Sequence, residues 1–419
     1  MRSWPLLVVT ACGRIGFDPH GTGDGGALVL DITIIGGGAV TGPGIACADH
    51  CTYSTDAVTL TAVPMETWQL ASWSNGCGSQ VDCAVSTSET ITVTFTQAPI
   101  TANVAFVSSG LGPWTGLANM DSFCMTSAGA RGLSGNFVAL LSTASMSAPM
   151  RLAGHRGWVR RDGLPVLDQP SDLATPMMLP RAILLDESGT PQIRKGVTTG
   201  TSASGAVSNQ GVCGDWTTQT GSTEGGISTF AADSLFSLDG TDCAARQIYC
   251  FQIDHSTAVD LNPPAFPVGR YVFLSSTRPT PGGGVSAFDA LCAADATTAG
   301  LPGTYRALVA TETESVTQHV GSVAGIWRRP DGIVVTRVGL DHVPLDAAIN
   351  VTAAGTRLGQ KYTWFGARDF TSLGSESCSS WTSAVSAVTP NLSASDVALD
   401  LTYNTDCASL AEWLLCAQM

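Results

Sequence analysis

Cysteine is the residue in this chain with the most chemistry open to it. Residues 240–250 read GTDCAARQIYC and residues 403–416 read YNTDCASLAEWLLC. In each, a Thr-Asp-Cys string is followed closely by a second cysteine: Cys243 then Cys250, Cys407 then Cys416. Such a pair could be half a metal site, a redox couple, or single halves of two disulfides. The chain holds thirteen cysteines. With Cys12 set aside, the rest fall into three groups of four. They are Cys47, Cys51, Cys77 and Cys83; Cys124, Cys213, Cys243 and Cys250; and Cys292, Cys378, Cys407 and Cys416. Even groups behind an export signal imply disulfides formed in an oxidising compartment.

Other reactive residue types give less. The six histidines are scattered, without HExxH, so zinc is not expected. No G-x-S-x-G string presents a serine nucleophile, and the cysteines are accounted for in pairs. The reading is non-enzymatic, with no catalytic residue and no cofactor to nominate. Calcium needs hard oxygen ligands converging on one ion. Asp239 and Asp242, or Asn404 and Asp406, read instead as turn-formers before a cysteine. The arginines do cluster: Arg151, Arg156, Arg160 and Arg161 beside His155, then Arg328, Arg329 and Arg337. Guanidinium forks suit sulfate and carboxylate, so Arg156, Arg160, Arg161, Arg328 and Arg329 are candidates for a polyanion site. The favoured reading is plainer, a solvated hairpin whose charge nearby Asp162 or Asp331 balances. Trp114, in a Gly/Pro loop, is a further candidate contact. Trp216 and Trp381 each follow a cysteine by three, as expected of core packing against a disulfide.

Composition points to a β-rich, turn-rich chain rather than a helical one. Only 13% of the 419 residues are charged, with two lysines and a net charge of −14. So acidic a chain repels phosphate backbones, which excludes nucleic acid as the expected partner. Gly, Ser, Thr and Ala abundance favours strands and turns. At the N-terminus, MRSWPLLVVTACG resembles a bacterial lipoprotein signal ending in apolar-x-small-Cys. The resemblance implies cleavage of residues 1–11, lipid on Cys12, and a Gly-rich tether over 12–28. Two or three acyl chains are enough for stable membrane attachment. The expected location is the bacterial cell envelope, at the outer membrane or cell surface.

A long repeat of about 166 residues organises the rest. VAFVSS (104–109) matches YVFLSS (271–276), and GLSGNFVALLST (132–143) matches GLPGTYRALVAT (300–311). WVRRDGLPV (158–166) matches WRRPDGIVV (327–335), and CGDWT (213–217) matches CSSWT (378–382). The copies span 102–253 and 268–419, and the proline-rich stretch 254–267 reads as a linker. Each copy opens on a strand (104–108; 271–275) and continues to a helix. Leu117, Met120, Cys124 and Ala128 form one helical stripe; Phe288, Leu291, Cys292 and Ala296 form the other, with Gly300 as terminator. An Asp-Gly hairpin follows in both. Residues 29–97 read as a separate module of β-branched strands between glycine turns.

Two families are resembled. Residues 29–97 are similar to the divergent internalin-B-repeat type, through the Gly44–Cys51 turn, VTLTA (58–62), WSNGC (73–77), Cys83 and the closing VTF. That implies a small all-β or β-grasp-like spacer of surface proteins, with Cys47–Cys51 and Cys77–Cys83 paired. Both large copies resemble the C-type-lectin-like fold and its endostatin branch. They are closer still to a domain of unknown function in spirochaetal endostatin-like outer-membrane lipoproteins. The residues that carry this are VFLSS, ALCAADATTAGLPGTYRAL, the hairpin DG, CSSWTS and the final C…WLLC. Copy one is the more degraded. The expected fold class is α+β: two tandem lectin/endostatin-like domains behind the β module. The layout implies the pairs Cys124–Cys250 and Cys213–Cys243, then Cys292–Cys416 and Cys378–Cys407. It also implies adhesion, with a surface protein, matrix component or glycan as ligand. A calcium-independent carbohydrate- or polyanion-binding lectin is the alternative, and an enzyme on a lectin-like scaffold a more distant one.

Overall fold

Alternating burial along three strands shows how the first module closes. Leu30, Ile32 and Ile34 point inward from Leu28–Ile35; Leu60 and Ala62 do so from Val58–Pro64; Ile91, Val93 and Phe95 do so from Glu89–Gln97. The period of two puts every second side chain on the core face. In the computed structural model these strands belong to two four-stranded sheets. One runs His50–Thr55, Leu28–Ile35, Glu89–Gln97, Trp68–Trp73, with its two central strands parallel. The other runs Ile45–Cys47, Gly38–Gly42, Val58–Pro64, Asp82–Val85 and is antiparallel throughout. Both contribute to one core, so the module is a β-sandwich. Residues 28–97 contain no helix, which removes the β-grasp alternative. The structure describes residues 27–174, 179–231, 235–236, 239–359, 361–384, 388–393, 397, 399, 403–407 and 412–419. Cys12 and the signal and tether residues up to 26 lie outside that range.

The two large copies share one strand order. In the first, the sheet reads Phe137–Ala139, Tyr249–Gln252, Asn103–Val107, Trp158–Val159, Pro165–Leu167. In the second, Tyr305–Ala307 pairs with Trp413–Gln418, followed by Arg270–Leu274, Trp327–Arg328 and Val334–Thr336. In both, the opening strand runs parallel to the first arm of the Asp-Gly hairpin and antiparallel to the terminal strand. A three-stranded layer completes each copy: Gly196–Thr198, Ser222–Ile227, Asp239–Asp242 in one, Tyr362–Trp364, Val388–Ser393, Tyr403–Asp406 in the other. The second layer joins its main sheet through a parallel pairing of Tyr362–Trp364 with Trp413–Gln418. In the first copy a single parallel bridge, Val197 to Gln247, stands at that place. The chain is thus mostly β with few helices, an all-β module followed by two α+β units.

One helix covers each main sheet, Leu117–Gly129 and Gly284–Thr298. Their buried faces are Met120, Cys124 and Ala128, and Phe288, Cys292 and Ala296. Spacing of four keeps these on one side. Asp121 and Asp289 then reach from the helices to the next strand, accepting from the amides of Ala139 (2.8 Å) and Ala307 (2.9 Å). Disulfides fix both ends of the arrangement. Cys124–Cys250 and Cys292–Cys416 tie helix to terminal strand. Cys213–Cys243 and Cys378–Cys407 close the intervening region, and Cys47–Cys51 and Cys77–Cys83 clip the sandwich. Cys243 and Cys250 therefore serve different bridges, as do Cys407 and Cys416.

The Cys-x-x-Trp strings form an unusual turn. Cys213, Gly214, Asp215 and Trp216 all have left-handed backbone, φ 53°, 58°, 52° and 69°. Cys378, Ser379, Ser380 and Trp381 repeat it at 51°, 53°, 54° and 66°. Consecutive left-handed L-residues each cost about 1–2 kcal/mol, so other contacts must hold the turn. The disulfide anchors its first residue. The buried indole anchors its fourth, donating from Nε1 to Ser142 O or Ala310 O at 2.8 Å. Gly214 escapes the Cβ penalty; Ser379, exposed at the equivalent position, does not. Ser379→Gly is expected to stabilise the chain by roughly 0.5–1 kcal/mol, the strain relieved less the entropy gained by the unfolded chain. A lower denaturation midpoint for that variant would contradict this.

The stretch 254–267 is fastened rather than free. Asn103 Nδ2 donates to His255 O (2.8 Å), and the amides of His255 and Val259 donate to Asn103 Oδ1 and Asp168 Oδ1, both 2.9 Å. Further on, Arg357 donates to Asn262, Arg328 to Phe266 O, and the Phe266 ring is buried against Ala39 and Met65. The prolines remove amide donors, but these other polar groups of the stretch find partners on both copies. The copies are not separate beads either: Ala182, Leu184, Leu185 and Ala231 of the first enter the core of the second.

Candidate functional site

The arginines named as candidates for a polyanion site are divided by the fold. Arg160 and Arg329 are interior, with side chains 2% and 0% exposed. Each forks onto the aspartate of its own hairpin turn: Arg160 onto Asp162 (3.2 and 2.6 Å), Arg329 onto Asp331 (3.0 and 2.6 Å). A hairpin places residues two apart across the turn, so the Asp of Asp-Gly is the natural partner. Burial favours the neutral acid at both aspartates, yet the neighbouring guanidiniums outweigh it and hold each carboxyl below its usual range. Arg151 is also enclosed, bonded to Asp121 at 2.9 and 2.7 Å. Arg156 is half-exposed and pairs with Asp168, Arg161 is half-buried with Nε enclosed, and Arg328 stacks on Tyr271 at 4.2 Å. The assignment of Arg160 and Arg329 to an exposed site is corrected: they are structural ions balanced by Asp162 and Asp331. Trp114 is corrected likewise. It is 4% exposed and packs on Trp216 with ring centroids 5.3 Å apart.

The remaining motifs are placed simply. Trp216 and Trp381 are fully buried beside the inner disulfides. Asp242 pairs with Arg246 at 3.0 Å, while the side chains of Asp239, Asn404 and Asp406 lie outside the described residues. Among the described residues no three His, Cys, Asp or Glu side chains gather as a metal would require, and no helix is long and apolar enough to cross a membrane.

What the fold does bring together is the junction of the sandwich with both copies. Glu66, in the bend between Val58–Pro64 and Trp68–Trp73, is bonded to Arg181, whose side chain is 1% exposed. Nearby lie Arg160, Asp162, Asp346 and Arg337, the last 3.7 Å from Asp346. Desolvation dominates the pair. Burial pushes the Glu66 carboxyl up against the pull of Arg181, and pushes the Arg181 guanidinium down. Glu66 Oε1 and Arg181 Nε are enclosed without a hydrogen-bond partner among the described residues.

Beside this junction opens a cleft of about 550 Å³ between the sandwich and the second copy. Its walls include Gly36–Gly38, Trp68, Asp49, Arg270 and Arg337. The glycines are required by the neighbouring rings: a Cβ on Gly37 would sit 2.5 Å from Trp68 Nε1, and one on Gly38 2.4 Å from the Phe95 ring. Gly36, at φ 89°, would meet Phe95 O at 2.3 Å. The volume is that of a small-ligand site. Sequence reasoning missed Glu66, Arg181, Trp68, Asp49 and Arg270. Only Arg270 carries a signal in the sequence, since the repeat sets it opposite Asn103 of the first copy, a change from amide to cation at an otherwise matched strand start.

Comparison with known families bears on the sandwich. Residues 28–109 match the family described as the divergent InlB B-repeat domain. The end of that match, from Asn103 onward, forms the opening strand of the first large copy and pairs there with Tyr249–Gln252. No curated protein matches the chain.

Proposed function

We propose that this chain is a non-enzymatic, lipid-anchored protein of the bacterial cell surface that binds a macromolecular ligand in the manner of an adhesin. The observation that carries the reading is the set of six bridges, which engages every cysteine after Cys12. Such a framework belongs to an oxidising compartment and leaves no described thiol for the cysteine chemistry of an enzyme on a lectin-like scaffold. The divergent InlB B-repeat match supports a spacer role for residues 28–97. A strand, a covering helix with a core cysteine, a Cys-x-x-Trp turn and a cysteine in the last strand support reading both copies as C-type-lectin/endostatin-like domains. Cys12 is the proposed lipid attachment point. The ligand is a surface protein, matrix component or glycan.

The test is expression of the full chain in an export-competent bacterium fed labelled palmitate. The expected result is a labelled protein digestible by protease on intact cells, with Cys12→Ala losing the label and leaving the membrane fraction. An unlabelled product retained inside the cell with titratable thiols would refute the proposal. The lectin alternative predicts glycan-array binding by the purified chain that persists in chelator.

A further inference from the structure

Arg270 is the observation from which the inference starts. Its guanidinium lies 4.0 Å over the Trp327 ring and donates to Ala324 O at 2.6 Å. No carboxylate among the described residues pairs with it. In this it differs from Arg151, Arg156, Arg160, Arg181, Arg329 and Arg357, which all have an acidic partner. The side chain is half-buried, and burial pushes its guanidinium below the ordinary value. A partly desolvated cation carries a penalty that the Trp327 ring face and the Ala324 carbonyl offset without neutralising its charge. It is tolerable where a ligand supplies the charge, and Arg270 lines the cleft of about 550 Å³.

The other walls narrow the ligand's chemistry. Arg337 lies in the same cleft, 44% exposed, held only at 3.7 Å by Asp346, so its fork retains free donors. Trp68 offers an indole whose Nε1 has no partner among the described residues. Asp49 is the one carboxylate in the lining and is exposed; it can accept from hydroxyls but repels a second anion. Gly36 is exposed, while Gly37 and Gly38 let the Trp68 and Phe95 rings lie directly on the backbone. A carboxylate facing Arg270 and Arg337, a hydroxylated ring against Trp68 and hydroxyls toward Asp49 describe one ligand class. We infer that the cleft between the β-sandwich and the second large copy binds a carboxylated sugar, a uronate unit of an acidic oligosaccharide, through Arg270 and Arg337. This goes beyond the surface-protein proposal and does not depend on lipid attachment or export.

The purified full chain titrated calorimetrically with trigalacturonate tests it. Binding is expected, and the methyl-esterified trimer, identical in its rings but uncharged, is expected not to bind. Arg337→Gln and Arg270→Gln should each weaken binding by roughly tenfold or more, as loss of a charge-assisted hydrogen bond does. Because Arg270 also packs on Trp327, Arg337→Gln carries the test if Arg270→Gln does not fold. Absence of binding by the parent chain would overturn the inference. So would equal binding of the ester, or binding unchanged by Arg337→Gln. Loss of palmitate labelling would refute the surface proposal alone and leave this titration unaffected.

Discussion

Replacing Cys292 and Cys416 together by alanine is expected to cost the second large copy about 4–5 kcal/mol, the chain-entropy value for so long a loop. The bridge spans 124 residues and joins the helix Gly284–Thr298 to the last strand, Trp413–Gln418. Both sulfurs are fully buried, in a cluster with Phe273, Phe288 and Trp381, so their loss also leaves a void. The same double replacement at Cys47 and Cys51, four residues apart, should cost about 2 kcal/mol, because the loop it closes is short. The Cys378–Cys407 bridge, spanning 29 residues, falls between at roughly 3.5 kcal/mol. Urea denaturation of the three variants measures the ordering. Equal losses at Cys292–Cys416 and Cys47–Cys51 would show that native packing, not unfolded-chain entropy, sets the value of these bridges. The expected loss is comparable to a small domain's whole stability of ~5–15 kcal/mol, so the Cys292–Cys416 variant should be near the limit of folding.

Those bridges lie in parts of the chain where sequence was informative. The helix stripes were legible because Met120, Cys124 and Ala128 recur at helical spacing, and so do Phe288, Cys292 and Ala296. The hairpins were legible because Asp162-Gly163 and Asp331-Gly332 need backbone that glycine supplies, φ 86° and 91°. The duplication was legible from ordered matches, and the matched strand order follows it. The junction was not legible, for a physical reason. Glu66 and Arg181 are 115 residues apart, and neither sits in a periodic pattern that marks it as buried. A charged residue reads as solvated unless its partner is known. The same argument explains Arg160 and Arg329, which looked like surface cations until the hairpin enclosed them. Residues 254–267 read as a linker from composition, and their contacts were not legible there: prolines signal an absence of regular structure, not an absence of contacts. Trp114 misled, since its Gly/Pro loop folds back onto Trp216.

Removing the positive end of the buried pair is the second large effect expected. Arg181→Met should destabilise the chain by about 3–5 kcal/mol, because Glu66 then loses its bonded counter-charge and keeps only the more distant Arg160. The pair contributes little by itself: burial penalises both ions, and each leaves one polar atom unpartnered. The cost of Arg181→Met is therefore mainly the cost of a carboxylate that has lost its bonded partner. It follows that Glu66→Gln combined with Arg181→Met should be markedly milder than Arg181→Met alone, with neither member of the pair then charged. The loss should also be local. Glu66 belongs to the sandwich and Arg181 to the first copy, so the single variant should loosen their junction and expose the strap around Pro263 and Phe266 to protease before either body unfolds. Denaturation midpoints for the two singles and the double close the cycle, and timed proteolysis reads the strap. A cost for Arg181→Met below about 1 kcal/mol, the range of exposed ion pairs, would mean that water reaches the junction and that the sandwich is not held to the copies by this contact.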